Sequence, residues 1–170
     1  MLPCVNVMNI LIELAKKGSK KISVNDAYSS ADYNFKWNCP ADSNEIEKFE
    51  EETNCKLPEY YKEFLLCSNG GVIFNSDYED DGYELLGIEE IKSYTEELNE
   101  AGYDIPKGCF IFMRCSFCDD FLLFDTAKQP HCILDGDVGY PAEEWKYLKC
   151  DFNKFFVRFI QCNGAMFWRW

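Results

Sequence analysis

The chain has 170 residues, enough for one domain at roughly 150 residues each. Its 47% apolar content, with 14 Phe, 10 Tyr and 4 Trp, predicts an aromatic core large enough to offset the entropy of ordering. The 30 acidic residues against 17 basic ones leave a formal charge of −13, which argues against a nucleic-acid or anionic-membrane binder and leaves two readings, self-repulsion that keeps a soluble protein apart or attraction to a basic partner.

Residues 5–17 read as a helix ended by Gly18, with Val7, Ile10, Leu11 and Leu14 on one side. Glu13 interrupts this apolar run, and neither a basic start nor a small-residue cleavage site is visible, so the expected location is cytoplasmic. Short strands are expected at Lys21–Val24 and Asn34–Trp37.

The next stretch, from Ile46 to Gly71, reads as two amphipathic helices meeting at Leu57-Pro58. Asp42 or Ser43 is placed to cap the first, whose inner face is Ile46, Phe49 and Thr53. Pro58 suits the first turn of the second, because its missing N–H would be unpaired there anyway. Tyr61, Phe64, Leu65 and Ser68 form one stripe at helical spacing, and Asn69-Gly70-Gly71 stops the helix.

Val72-Ile73-Phe74 reads as a strand, Asn75 to Gly82 as an acidic loop, and Tyr83 to Leu86 as a second strand. Glu89 to Ala101 is a helix with Ile88, Ile91, Thr95 and Leu98 inward. Strand signals follow at Cys109–Arg114, Asp120–Asp125 and Cys132–Leu134, the first two joined by a hairpin-length connection. Asp135-Gly136-Asp137 reads as a turn, and a last helix from Asp151 carries Phe152, Phe155, Phe156, Phe159 and Ile160 on one face. Strands joined by tight turns between terminal helices imply α+β with an antiparallel sheet.

Ile46 and Glu50, Leu57-Pro58-Glu59-Tyr60, Phe64-Leu65, Asn69-Gly70-Gly71, Phe121-Leu122-Leu123-Phe124-Asp125 and the closing Phe-rich helix together resemble the SUKH superfamily. Fungal cell-wall-assembly regulators and bacterial immunity proteins share that scaffold. The resemblance covers about residues 42–160 and implies a single domain over 1–170, with a curved antiparallel sheet flanked by helices. Residues 1–41 would be an N-terminal helix and extension, and 161–170 a short aromatic tail. It implies a protein-binding module, not an enzyme, with no cofactor.

Chemical motifs are sparse. Cys115-Ser116-Phe117-Cys118 is a CxxC, but no helix follows it to lower a thiol pKa. With His131 and Cys132 it offers four zinc-type donors, yet neighbouring strand residues point to opposite faces, so the alternative of a metal site is weak. Asp77, Tyr78, Glu79, Asp80 and Asp81 resemble the start of a calcium loop, but Glu79 stands where the third position wants Asp or Asn and Ile88 where the twelfth needs a bidentate Glu. These five are instead the expected contacts for a basic toxin domain, a nuclease by preference because its groove must be positive. An intracellular scaffold or regulator of the same fold is the alternative, and a small metal-binding protein or hydrolase using Cys115, Cys118 and His131 is a third reading. Trp168 and Trp170, beside Arg169, are expected to fold back on the core.

Overall fold

In a computed structural model residues 21–25, 30–76 and 82–170 are described. The helix expected over residues 5–17 and the acidic loop 77–81 lie outside them. Among the described residues the strands are β1 (Lys21–Asn25), β2 (Ser30–Trp37), β3 (Gly71–Asn75), β4 (Tyr83–Leu85), β5 (Cys109–Cys115), β6 (Phe121–Asp125), β7 (Ile133–Gly136) and β8 (Lys146–Tyr147). Each pairs antiparallel with the next in sequence, giving one eight-stranded sheet in the order β1 to β8. The helices are α1 (Ser43–Thr53), α2 (Glu59–Cys67), α3 (Ile88–Glu100) and α4 (Phe152–Gln161). The expected α+β class is what the structure shows.

The core is built on rings. Tyr61 and Phe64 of α2 meet Phe152 of α4 at centroid distances of 4.9 and 5.9 Å. Phe112 of β5 stacks on Phe124 of β6 at 4.0 Å, and both edge onto Phe152. Edge-to-face and offset contacts of this kind add about 0.5–1.5 kcal/mol per pair beyond burial. Tyr61 is fully buried, and its hydroxyl donates to the Leu86 carbonyl at 2.6 Å. Tyr83 packs edge-on against Phe159, so α4 covers the sheet face that Tyr83 occupies.

The helix ends follow the sequence with one shift. Asp42 caps α1 by accepting from Asn44, and Glu45 reaches back to the Asp42 N–H, a reciprocal pair. Asp151 caps α4 through the Lys154 N–H. Pro58, however, is the residue that precedes α2 and caps it, not one inside its first turn: its ψ of 135° is extended. After Cys67 the chain leaves helix at Ser68, and Gly70 supplies the left-handed residue at φ +83°. A Cβ at Gly70 would lie 2.6 Å from the Leu85 carbonyl oxygen, so this glycine is needed for close approach as well.

The expected turn at Asp135-Gly136 is instead the end of β7, paired with Leu122 and Phe121. Gly136 is small because the Phe121 ring lies against it, where a Cβ would sit 2.4 Å away. Composition suggested a turn; the cross-strand ring explains the glycine. The two-residue β8 was too short to leave a periodic signal.

Candidate protein interface

Direct cross-strand partners share a face of a sheet. Lys36, Val72, Glu84 and Arg114 are partners in turn across β2, β3, β4 and β5. Tyr83 and Glu84 are adjacent and so point to opposite faces. Because Tyr83 faces α4, the Lys36–Arg114 row faces away from it. Here the apolar strands YEL and CFIFMRC each carry one charged residue, and those two form an ion pair between Arg114 Nε and Glu84 Oε2.

Arg114 also stacks on Tyr94 of α3, its guanidinium carbon 5.1 Å from the ring centroid. Burial opposes the charge on Arg114, but Glu84 and Tyr94 outweigh it and hold the guanidinium above its usual pKa. The helix is fixed in place by Thr95, whose hydroxyl accepts the Ile111 N–H at 3.0 Å where the β5–β6 register shifts. Its N-terminus is held by one acceptor from outside the helix and one from its own first turn. Asn69 Oδ1 accepts the Ile88 N–H at 2.7 Å, and the Glu90 carboxylate accepts the Gly87 N–H at 2.8 Å.

Between β2 and α3 the row floors a groove of about 1310 Å³, walled by Tyr94, Leu98 and Tyr103. That volume exceeds the roughly 300–1,000 Å³ of a small-molecule pocket. Tyr and Arg are among the residues that dominate binding hot spots, and here they share one concavity with a rim of Asn34, Asn38, Asn75 and Asp119. The Trp37 ring lies on the opposite face against Phe64, and its buried Nε1–H has no acceptor among the described residues.

The expected contact residues Asp77, Tyr78, Glu79, Asp80 and Asp81 lie outside the described residues, but both flanks of that segment border the groove. Asn75 lines it, and Gly82 accepts a hydrogen bond from Ser116, another lining residue, at 2.9 Å. Sequence reading passed over Glu84, Arg114 and Tyr94. The available signal was a single charged residue in each of two apolar strands, which a half-buried sheet face explains.

The cysteine and histidine donors do not converge. Cys115 and Cys118 sit in the β5–β6 hairpin, whereas His131 and Cys132 precede β7, beyond the far end of β6. Five strand residues separate the two pairs, a span of about 15 Å. Among the described residues no three His, Cys, Asp or Glu side chains form a metal-holding group. Burial, then the hydrogen bond with Cys115, pushes the Cys118 thiol up to about 12, and burial does the same to Cys132. These thiols are poor nucleophiles at neutral pH.

Comparison with known proteins adds the family. The chain matches the SMI1 / KNR4 family (SUKH-1) over residues 40–158. It belongs to that family. The matched span takes in the sheet from β3 to β8, helices α1 to α3 and most of α4, and so contains most of the groove. Two Bacillus subtilis (strain 168) proteins are similar to it. The uncharacterized protein YobM is 33% identical over 138 residues, 75% of this chain and 69% of its own length. The uncharacterized protein YnaB is 30% identical over 140 residues, 81% of this chain and 88% of its own.

Proposed function

We propose that this SUKH protein is an immunity-type binding module that docks on a bacterial toxin domain and occludes its active groove. It acts in the cytoplasm, without a cofactor and without catalysing a reaction. The observation that carries this reading is the wide groove holding Tyr94, Tyr103 and Arg114 on a chain of net charge −13. The aromatics supply anchors, and the acidic surface steers a basic partner toward them.

A nuclease is the favoured target, since a groove that holds phosphates is positive. Asp77, Tyr78, Glu79, Asp80 and Asp81, next to the groove in sequence, are the proposed charged contacts. Described helices add exposed carboxylates beside it: Glu45 of α1 and Glu89 and Glu90 of α3 line a cleft that shares Asn38, Cys39 and Pro40 with the groove.

The test is a tagged pull-down from the source organism, washed at low and then high salt. A stoichiometric, salt-weakened toxin domain that kills when expressed alone and not with this chain supports the proposal. Recovery of cell-wall enzymes or signalling proteins instead would replace it with the scaffold reading.

A further inference from the structure

Among the described residues a concentration of positive charge lies away from the groove, where β8 and α4 meet the C-terminal tail. Five of the 17 basic residues line one cleft of about 870 Å³: Lys146, Lys149, Lys154, Arg158 and Arg169. Three acids share it, Asp135, Asp137 and Glu144, and the first two are taken up by Arg169 at 2.8 and 3.8 Å. Arg158 lies over the Phe167 ring, its guanidinium carbon 4.4 Å from the centroid. Lys154 has only a long contact of 3.9 Å to Asp151. Lys146 and Lys149 are exposed and make no ion pair with any described residue.

Two aromatic rings are left open at the same cleft. Trp170 is 82% exposed and Tyr140 58%, although the neighbouring Phe167 is buried. The tail is nevertheless fixed, because Trp168 packs on Phe155 and Phe159 at 5.5 and 5.8 Å and Arg169 grips Asp120 at 2.6 Å. An anchored chain that presents a bare indole beside two unpaired lysines is a surface without its partner.

Size and charge choose among anions. Fields between exposed charges fade over about 8 Å at physiological salt, so a compact anion here feels the cleft's five basic and three acidic residues and little of the acidic surface beyond. A long polyanion would extend onto a surface where acids outnumber bases nearly two to one. The cleft volume falls within the roughly 300–1,000 Å³ of small-molecule sites. We propose that this cleft binds a compact polyanion carrying a planar ring, the chemistry of a nucleoside polyphosphate. Lys146 and Lys149 hold the phosphates, with Lys154 and Arg158 beside them, and Trp170 stacks on the base.

Calorimetric titration of the full chain tests this with ATP, tripolyphosphate and adenosine as probes, in magnesium-free buffer. ATP should bind one to one, and the K146E/K149E double variant should weaken it at least about tenfold, as expected for charge-assisted bonds to phosphate. Trp170→Ala should weaken ATP by about tenfold while leaving tripolyphosphate unchanged, because only the ring is lost. Unaltered melting curves for these exposed substitutions show that the fold is intact. No heat with ATP at millimolar concentration, or equal ATP affinity in the double variant, overturns the site. Equal affinities for ATP and tripolyphosphate overturn the ring contact.

Discussion

Individual side chains carry the sharpest consequences. Glu50 is a buried carboxylate that accepts from Lys56 at 2.6 Å and from the Leu57 N–H at 3.0 Å, with Lys62 at 3.6 Å. Burial alone would raise its pKa, but those three partners outweigh it and hold it below the usual range. A depressed folded pKa means stability that is present above the ordinary carboxylate value and is lost as pH falls through the folded one. Glu50→Ala should therefore cost about 2 kcal/mol at pH 7, with the gap to the native chain narrowing below about pH 4, as read from urea midpoints. Gly70→Ala should cost roughly 2–4 kcal/mol, since it combines a left-handed backbone with a clash on the Leu85 carbonyl. The glycine's left-handed role was legible from Asn69-Gly70-Gly71. The bond from Ile88 to Asn69 was not, because its partners lie 19 residues apart and no local pattern announces them.

Among the elements, α4 and the sheet face beneath it are the most tightly specified. Phe152 touches the rings of Tyr61, Phe64, Phe112, Phe124, Phe155 and Phe156 and is fully buried. Phe152→Ala should cost about 3–5 kcal/mol in denaturant unfolding, because rings held on several sides collapse poorly into the cavity. Helices declare themselves in sequence through their caps and spacing, and Asp42, Asp151 and the Phe run of α4 were all readable. β7 and β8 were harder. Gly136 looks like a turn residue until the Phe121 ring opposite is known, and two residues of β8 have no period to read. The hairpin of Cys115 and Cys118 predicts a chemical outcome as well. A thiol reagent at pH 8 should label exposed Cys39 in the folded chain but reach buried Cys109, Cys115 and Cys132 only on unfolding.

At the scale of the whole molecule, charge and shape divide the surface. The groove beside α3 combines aromatic rings with one neutralised ion pair, while the chain as a whole carries an excess of acid, the charge that the proposed basic partner requires. Net charge and family membership were visible in the sequence; the groove was not, because it forms only when β2 and α3, more than 50 residues apart, border the same strands. No described helix is long and apolar enough to cross a membrane. The most direct measurement is a side-by-side pull-down with the native chain, Arg114→Glu, and a variant with Asp77, Glu79, Asp80 and Asp81 changed to their amides. The account predicts one toxin domain retained by the native chain and lost or strongly weakened in both variants, with folding unchanged. Equal retention by all three proteins would contradict it.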